Sequence, residues 1–153
     1  MTAGRLESIN CSRGGVPKTS MFEALVTERG LDGDRQRDLR YHGGPDRAVV
    51  LYSLDVIRAL RREGHPVAAG ATGENLTVSG IDWTAVAPGV DVRIGEVVLH
   101  ITRYTSPCEK IAGAFLAGDF TRISQKLHAG WSRVCARVTA GGIVRMGDAV
   151  TLG

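Results

Sequence analysis

Cysteine is scarce in this 153-residue chain: Cys11, Cys108 and Cys135 are an odd number without Cys-x-x-Cys spacing. That argues against a disulfide framework and for a reducing compartment. Long apolar runs are also missing. No stretch approaches the roughly 18 to 20 apolar residues of a membrane span, and the opening Met1 to Glu7 lacks the apolar stretch of a signal peptide. A cytoplasmic protein with no membrane partner is expected. Aromatics number only eight, and no basic cluster is interleaved with them, so a nucleic-acid platform is not expected. Neither GxGxxG nor GxxxxGK[ST] occurs, which removes the Rossmann and P-loop readings. Lysine is rare as well: 16 of the 19 basic residues are arginines, with a net charge of +3. The planar guanidinium fork suits phosphate and carboxylate, so an anionic ligand fits this composition; so does codon bias toward arginine.

What is present is a series of short β-prone runs punctuated by 20 glycines. They are Arg5 to Cys11, Met21 to Val26, Ala48 to Tyr52, Asn75 to Val78, Val90 to Ile94, Glu96 to Tyr104, Ser132 to Thr139 and Ala149 to Leu152. The β-branched run Val97 to Thr102 is too short for a core helix and reads as strand. Gly95 and the pair Gly141-Gly142 stand at natural hairpin positions. Helices are few. Ser53 can cap Leu54 to Glu63, with Leu54, Ile57 and Leu60 on one face and Gly64 as the stop. Glu109 to Leu116 and Phe120 to His128 are two more candidates. No repeat or linker divides the chain, so residues 1–153 form one expected domain: mainly β, a barrel decorated by a few short helices.

Four segments carry more chemistry than scaffold needs. Gly14 to Ser20 joins a glycine pair to Lys18 and two hydroxyls, a set able to hold phosphate or to serve as a plain loop. Gly33-Asp34-Arg35-Gln36 is followed by Tyr41-His42-Gly43-Gly44-Pro45-Asp46-Arg47. There, glycines let the backbone approach an anion, Arg35 and Arg47 add charge, and His42 titrates near neutrality. Asn75, before the run Leu76 to Val78, can face a pocket mouth or merely bond its own turn. In Thr102 to Lys110 a strand ends, Pro107 fixes a turn, and Cys108 stands where a helix can start. A thiol there, with Arg103 and Lys110 near in sequence, is expected to have a lowered pKa and to attack electrophiles or bind a soft metal. Burial as a small apolar residue, the common fate of cysteine, suits Cys11 and Cys135 better than Cys108.

In order along the chain, these pieces resemble the MOSC domain family, named for the C-terminal domain of molybdenum cofactor sulfurase. The resemblance runs from about Gly14 to the C-terminus. It rests on Val16-Pro17-Lys18, Gly30 to Gln36, His42 to Val49, Gly73 to Val78, Ile94-Gly95-Glu96, Pro107-Cys108 and Gly147-Asp148. It implies a MOSC-type β-barrel, like the barrel of pyruvate kinase, and a protein that handles the molybdenum cofactor (molybdopterin). By motif, Cys108 would be the molybdenum ligand or a sulfur-carrying thiol. Lys18 and Arg35 would hold the pterin phosphate, and His42 and Asn75 would line the pocket.

The activity so implied is a molybdenum-dependent reductase of small N-hydroxylated or N-oxide substrates, needing an external redox protein. The alternative is a non-catalytic carrier that delivers cofactor or persulfide sulfur to an acceptor protein. A fold that has lost the metal and binds another anion is a third reading. Zinc held by Cys108 with His42 or His100 is a weaker rival, since no paired-ligand spacing supports it. Two departures stand out. Family members often carry Arg-x-Pro-Cys, whereas here the arginine place is Thr105 and the basic residue is displaced to Arg103. Gly89-Val90 also replaces a common Gly-Asp. The first leaves open which basic residue near the thiol meets the ligand.

Overall fold

The computed structural model describes residues 4–12, 19–32 and 45–153. Eleven strands lie among them: β1 (Gly4–Cys11), β2 (Thr19–Met21), β3 (Glu23–Thr27), β4 (Gly30–Leu31), β5 (Val49–Ser53), β6 (Leu76–Ser79), β7 (Asp91–Ile94), β8 (Val97–Tyr104), β9 (Val134–Ala140), β10 (Gly142–Arg145) and β11 (Ala149–Leu152). The order β11-β7-β8-β9-β5-β6-β1 closes on itself through a β1–β11 pairing, which makes a seven-stranded barrel. β2 continues from β1 outside the ring, and β10, β3 and β4 form a separate three-stranded sheet. The barrel is thus the expected fold. Closure leaves no free edge around the ring.

Period-two burial explains the closure. β8 alternates buried and half-buried residues from Val97 to Thr102, and Val97, Leu99 and Ile101 are fully buried. Leu51, Leu76, Val78, Val92, Ile94, Val134, Ala136 and Val150 complete the apolar filling from the other strands. β7 and β8 turn at Gly95-Glu96 with Gly95 at φ +57°, the hairpin expected there. The only parallel pair in the ring is β5–β6, and it needs a crossover. Helix α1 (Leu54–Arg62) supplies it, capped by Ser53, whose hydroxyl accepts from the Val56 N–H at 3.2 Å. Ile57 and Leu60 are its buried face.

Three expectations are corrected. Glu109 to Leu116 and Phe120 to His128 do not form α-helices; they fold as short 3₁₀ turns at Glu109–Ala114, Leu116–Gly118 and Phe120–Ile123. The glycines at 113 and 118 and the positive φ of Ala117 break any longer ladder. Gly141-Gly142 does not turn a hairpin, because β9 pairs with β5 and β8 while β10 pairs with β3. The pair instead permits close passage: a Cβ on Gly141 would stand 2.6 Å from the Val26 carbonyl oxygen. The run Met21 to Val26 is split, since β2 pairs with β1 and β3 with β10.

Candidate functional site

β8 is bulged near its end. Its register against β9 passes from Ile101↔Ala136 to Arg103↔Cys135, which leaves Thr102 over. The spare Thr102 hydroxyl donates to the carbonyls of Asp46 and Cys135, tying the turn at Pro45–Arg47 to this wall. Bulges of this kind re-aim a strand end. Here the chain beyond leads through Thr105, whose N–H donates to the Arg133 carbonyl at 3.0 Å, to Pro107 and Cys108.

Cys108 precedes the 3₁₀ turn Glu109–Ala114 with extended backbone, φ −143° and ψ 173°. Its carbonyl accepts from Ile111, and buried Ile111 and Ala114 seat the turn on the core. Of the three cysteines, Cys11 and Cys135 are buried and Cys108 is half-buried. Cys135 Sγ lies 3.0 Å from the Thr105 hydroxyl, so it is a packed, bonded residue, as expected of it. Behind Cys108 runs a six-residue 3₁₀ turn, so the α-helix on which the dipole argument rested is not there.

The charge beside this turn comes from elsewhere. Arg133, next to the start of β9, is only 6% exposed. Its Nη1 donates to the Thr72 carbonyl at 2.5 Å and its Nη2 to the Ser106 carbonyl at 3.3 Å, while its Nε is buried without a partner. One guanidinium therefore clamps the loop before Glu74-Asn75 to the loop before Cys108. Burial pushes its pKa below the ordinary arginine value, with Tyr52 and Glu74 acting in the opposite sense. Aromatics fix the approach to Arg133. Tyr52 Oη donates to the Trp131 carbonyl at 2.6 Å and Trp83 Nε1 to the Ser132 carbonyl at 2.8 Å. The Tyr52 and Trp83 rings meet edge to face at 6.1 Å. Burial drives the Tyr52 hydroxyl well above its ordinary pKa, so it stays a neutral donor. A cavity of about 280 Å³ opens against Trp83, Val86, Tyr104, Gln125 and Ser132.

Glu74 is fully buried. It accepts from Gly70 N–H at 3.0 Å, the Thr72 hydroxyl at 2.8 Å and the Thr77 hydroxyl at 3.0 Å. Asn10 Nδ2 donates to the Glu74 carbonyl and to the Thr77 hydroxyl, bringing β1 into the same polar network. Asn75 is also fully buried, with Oδ1 accepting from Val50 N–H at 2.8 Å and its own N–H donating to Val50 O.

Among the site residues expected from sequence, Cys108 and Asn75 stand in loops that Arg133 joins. Arg103 is exposed on β8 across from Cys135. Lys18, Arg35 and His42 lie outside the described residues. His100 sits on the β7–β8 hairpin and bonds Asp91, Nδ1 to Oδ1, at 2.8 Å. Among the described residues no group of three or more His, Cys, Asp or Glu side chains could hold a metal ion, and no helix is long and apolar enough to cross a membrane. Arg133 and Glu74 were missed from sequence. Glu74 stands in the polar run Thr72-Gly73-Glu74-Asn75, and nothing in Trp131-Ser132-Arg133-Val134 sets Arg133 apart from the chain's other arginines.

The architecture is that of a small closed β-barrel, with a half-buried thiol in the loop beyond bulged β8 and buried Arg133 bonded to the Ser106 carbonyl in that same loop. The chain belongs to the MOSC domain family, whose model matches residues 38–151. It is 34% identical over 114 residues to protein YiiM of Escherichia coli, covering 71% of this chain and 51% of that protein. It is 35% identical over 103 residues to the uncharacterised protein YflK of Bacillus subtilis, covering 66% and 47% respectively. The chain thus spans about half the length of these two relatives. Among solved structures, YiiM from Geobacillus stearothermophilus superposes with a TM-score of 0.74 at 23% identity, covering 98% of this chain and 75% of that one. The YUAD protein from Bacillus subtilis gives 0.77 at 17%, covering 99% and 96%. These two likenesses establish the shared fold.

Proposed function

We propose that this protein binds the molybdenum cofactor through Cys108 and reduces N-hydroxylated or N-oxide substrates with electrons from an external donor protein. The observation that carries the reading is the half-exposed Cys108 on the loop whose Ser106 carbonyl buried Arg133 holds, in a chain of the MOSC family. The donor set fits the group. A thiolate is a soft metal ligand, and the partnerless Nε of Arg133 leaves a buried N–H for an anionic oxygen.

When bound, the cofactor would supply a two-electron redox centre. By the family resemblance Cys108 would hold it, Lys18 and Arg35 would bind the pterin phosphate, and Asn75 and His42 would line the pocket. Arg133 holds the Ser106 carbonyl and so keeps the cysteine turn against the Glu74-Asn75 loop. Breaking the substrate N–O bond takes two electrons from the donor protein and two protons, and releases water. A carrier function for cofactor or sulfur is the second reading, favoured by a Cys108 side chain that makes no hydrogen bond among the described residues.

The test is expression in a host that makes the cofactor, followed by metal analysis and oxidised-pterin fluorescence, wild type beside Cys108→Ala. Stoichiometric molybdenum, lost in Cys108→Ala and kept in Cys135→Ala, is the expected result. No molybdenum and no pterin in the wild type would overturn both cofactor readings. Turnover of a hydroxylamine with an added reductant then separates reductase from carrier.

A further inference from the structure

The small sheet β10-β3-β4 buries one face and shows the other. Ala24, Val26 and Val144 are buried, whereas the alternate residues Glu23, Leu25, Ile143 and Arg145 are exposed. Register sets Leu25 opposite Ile143 and Glu23 opposite Arg145. Where the ladder ends, the Met146 N–H donates to the Phe22 carbonyl at 3.0 Å, which brings two more apolar residues side by side. Phe22 is 69% exposed, and Met21, Leu25, Ile143 and Met146 are 39–45% exposed. Apolar residues scattered singly over a surface need no explanation, but a cluster of this kind marks an interaction site.

The edge of this sheet is closed to an added strand. Among the described residues β10 pairs with β3 alone, and its outward N–H groups are already taken. Ile143 donates to Glu96 Oε1 at 3.4 Å and Arg145 to Asp148 Oδ2 at 2.8 Å. Carboxylates placed there block strand addition. Glu96 lies so close that a Cβ on Gly142 would stand 2.5 Å from its Oε1. The face therefore remains as the docking surface. Across it Arg145 Nε donates to Glu23 Oε2 at 2.9 Å. A partner of strong net charge finds no match in so balanced a pair, whereas a surface of the same make-up does.

We propose that this face is the interface of a homodimer, with its two-fold axis running between β3 and β10 and parallel to them. That axis sets Leu25 against Ile143 of the partner subunit and Glu23 against Arg145 of the partner subunit. Each contact then recurs with the roles exchanged, as an isologous interface requires. The two ion pairs join into a ring of four alternating charges, and the two sheets pack with their strands nearly aligned. A standard interface takes about 800 Å² from each partner, so a patch of five side chains makes a reversible, micromolar pair. The proposal makes no use of Cys108 and stands or falls apart from the cofactor reading.

Sedimentation velocity on the whole chain tests it. At about 100 µM the wild type should sediment near twice the 16.3 kDa of one chain, falling toward one chain below about 1 µM. Glu23→Arg and Arg145→Glu each bring like charges face to face, so each alone should associate at least about tenfold more weakly. Mixing the two variants pairs opposite charges across the axis again and should restore the dimer. Phe22→Ser, which leaves the ion pair intact, should also weaken association.

A wild type that stays one chain at about 100 µM overturns the proposal. That holds equally if the monomer binds phosphatidylcholine vesicles through Phe22, which would assign the face to a lipid surface. A dimer that Phe22→Ser leaves at wild-type strength also overturns it, and this result does not depend on the folding of the charge variants. So do folded charge variants that associate like the wild type, or that fail to recombine on mixing.

Discussion

Replacing Glu74 measures the polar network that supports the cysteine loop. In Glu74→Leu the Gly70 N–H and the hydroxyls of Thr72 and Thr77 all lose their acceptor, in a place with no water-facing surface. Each buried donor left unpaired costs about 1–3 kcal/mol, and hydroxyls can turn to other partners. The expected loss is therefore about 3–6 kcal/mol, a large share of the ~5–15 kcal/mol that holds a domain folded. Glu74→Gln keeps the shape and one carbonyl oxygen. That oxygen can still receive Gly70 and Thr77, while the Thr72 hydroxyl reverses to accept from the new amide. What goes is the negative charge in the field of Arg133, so the expected cost is about 1–2 kcal/mol. Urea unfolding followed by tryptophan fluorescence gives both values, provided the m-value is unchanged. The Gln cost should vanish in an Arg133→Gln background, since its origin is the pair. A Glu74→Leu protein within about 1 kcal/mol of wild type would refute the reasoning.

Further predictions concern the scaffold. Gly30→Ala should destabilise by more than about 3 kcal/mol, because φ is +108° and the added Cβ would strike the Ala48 carbonyl. Gly89→Ala, also at positive φ but with nothing within 4 Å of the Cβ, should cost only about 1 kcal/mol, and thermal melts compare the two. Ser53→Ala should cost about 1 kcal/mol by removing the cap of α1, again read by urea unfolding. The hydrogen bond from Arg122 holds the Glu63 carboxyl below its usual 4.5. The resulting stabilisation is present above pH 4.5 and is lost as pH falls through the lower folded value. Melts between pH 6 and 3 should show a shallower acid limb in Glu63→Gln. The fluorescence of Trp131, over whose ring Arg122 stacks at 4.0 Å, reports the same loss.

Strands with clean alternation were legible from the sequence: β8 and β11 came out within a residue, as did α1, where Ser53, the Ile57–Leu60 face and Gly64 all agree. The turns after Cys108 were not, because the apolar spacing of Ile111, Ala114 and Phe115 suits a helix. Only the packing of each short piece on the core shows that the ladder breaks at Gly113 and Gly118. β4 and β10 escaped for another reason. A two-residue strand has no period to read, and Gly142–Arg145 pairs with a segment more than 100 positions away.

The same distinction separates Cys108 from Arg133. Cys108 was found because its neighbours in sequence, Pro107 and the charges around it, make a poor core address. Arg133 has unremarkable neighbours, and its meaning lies in Thr72 and Ser106, 61 and 27 positions distant. Those contacts follow from two features of the barrel: the bulge at Thr102, which re-aims β8, and the antiparallel register that sets Tyr104 against Val134. If the bulge is what brings the Ser106 carbonyl to the guanidinium, deleting the spare residue should move the cysteine turn while leaving the barrel closed. The Thr102 deletion should then keep the far-UV spectrum of the wild type but lose the wild-type rate of Cys108 alkylation by iodoacetamide. Loss of both together would mean that the bulge serves the barrel itself, and that the cysteine turn follows only secondarily.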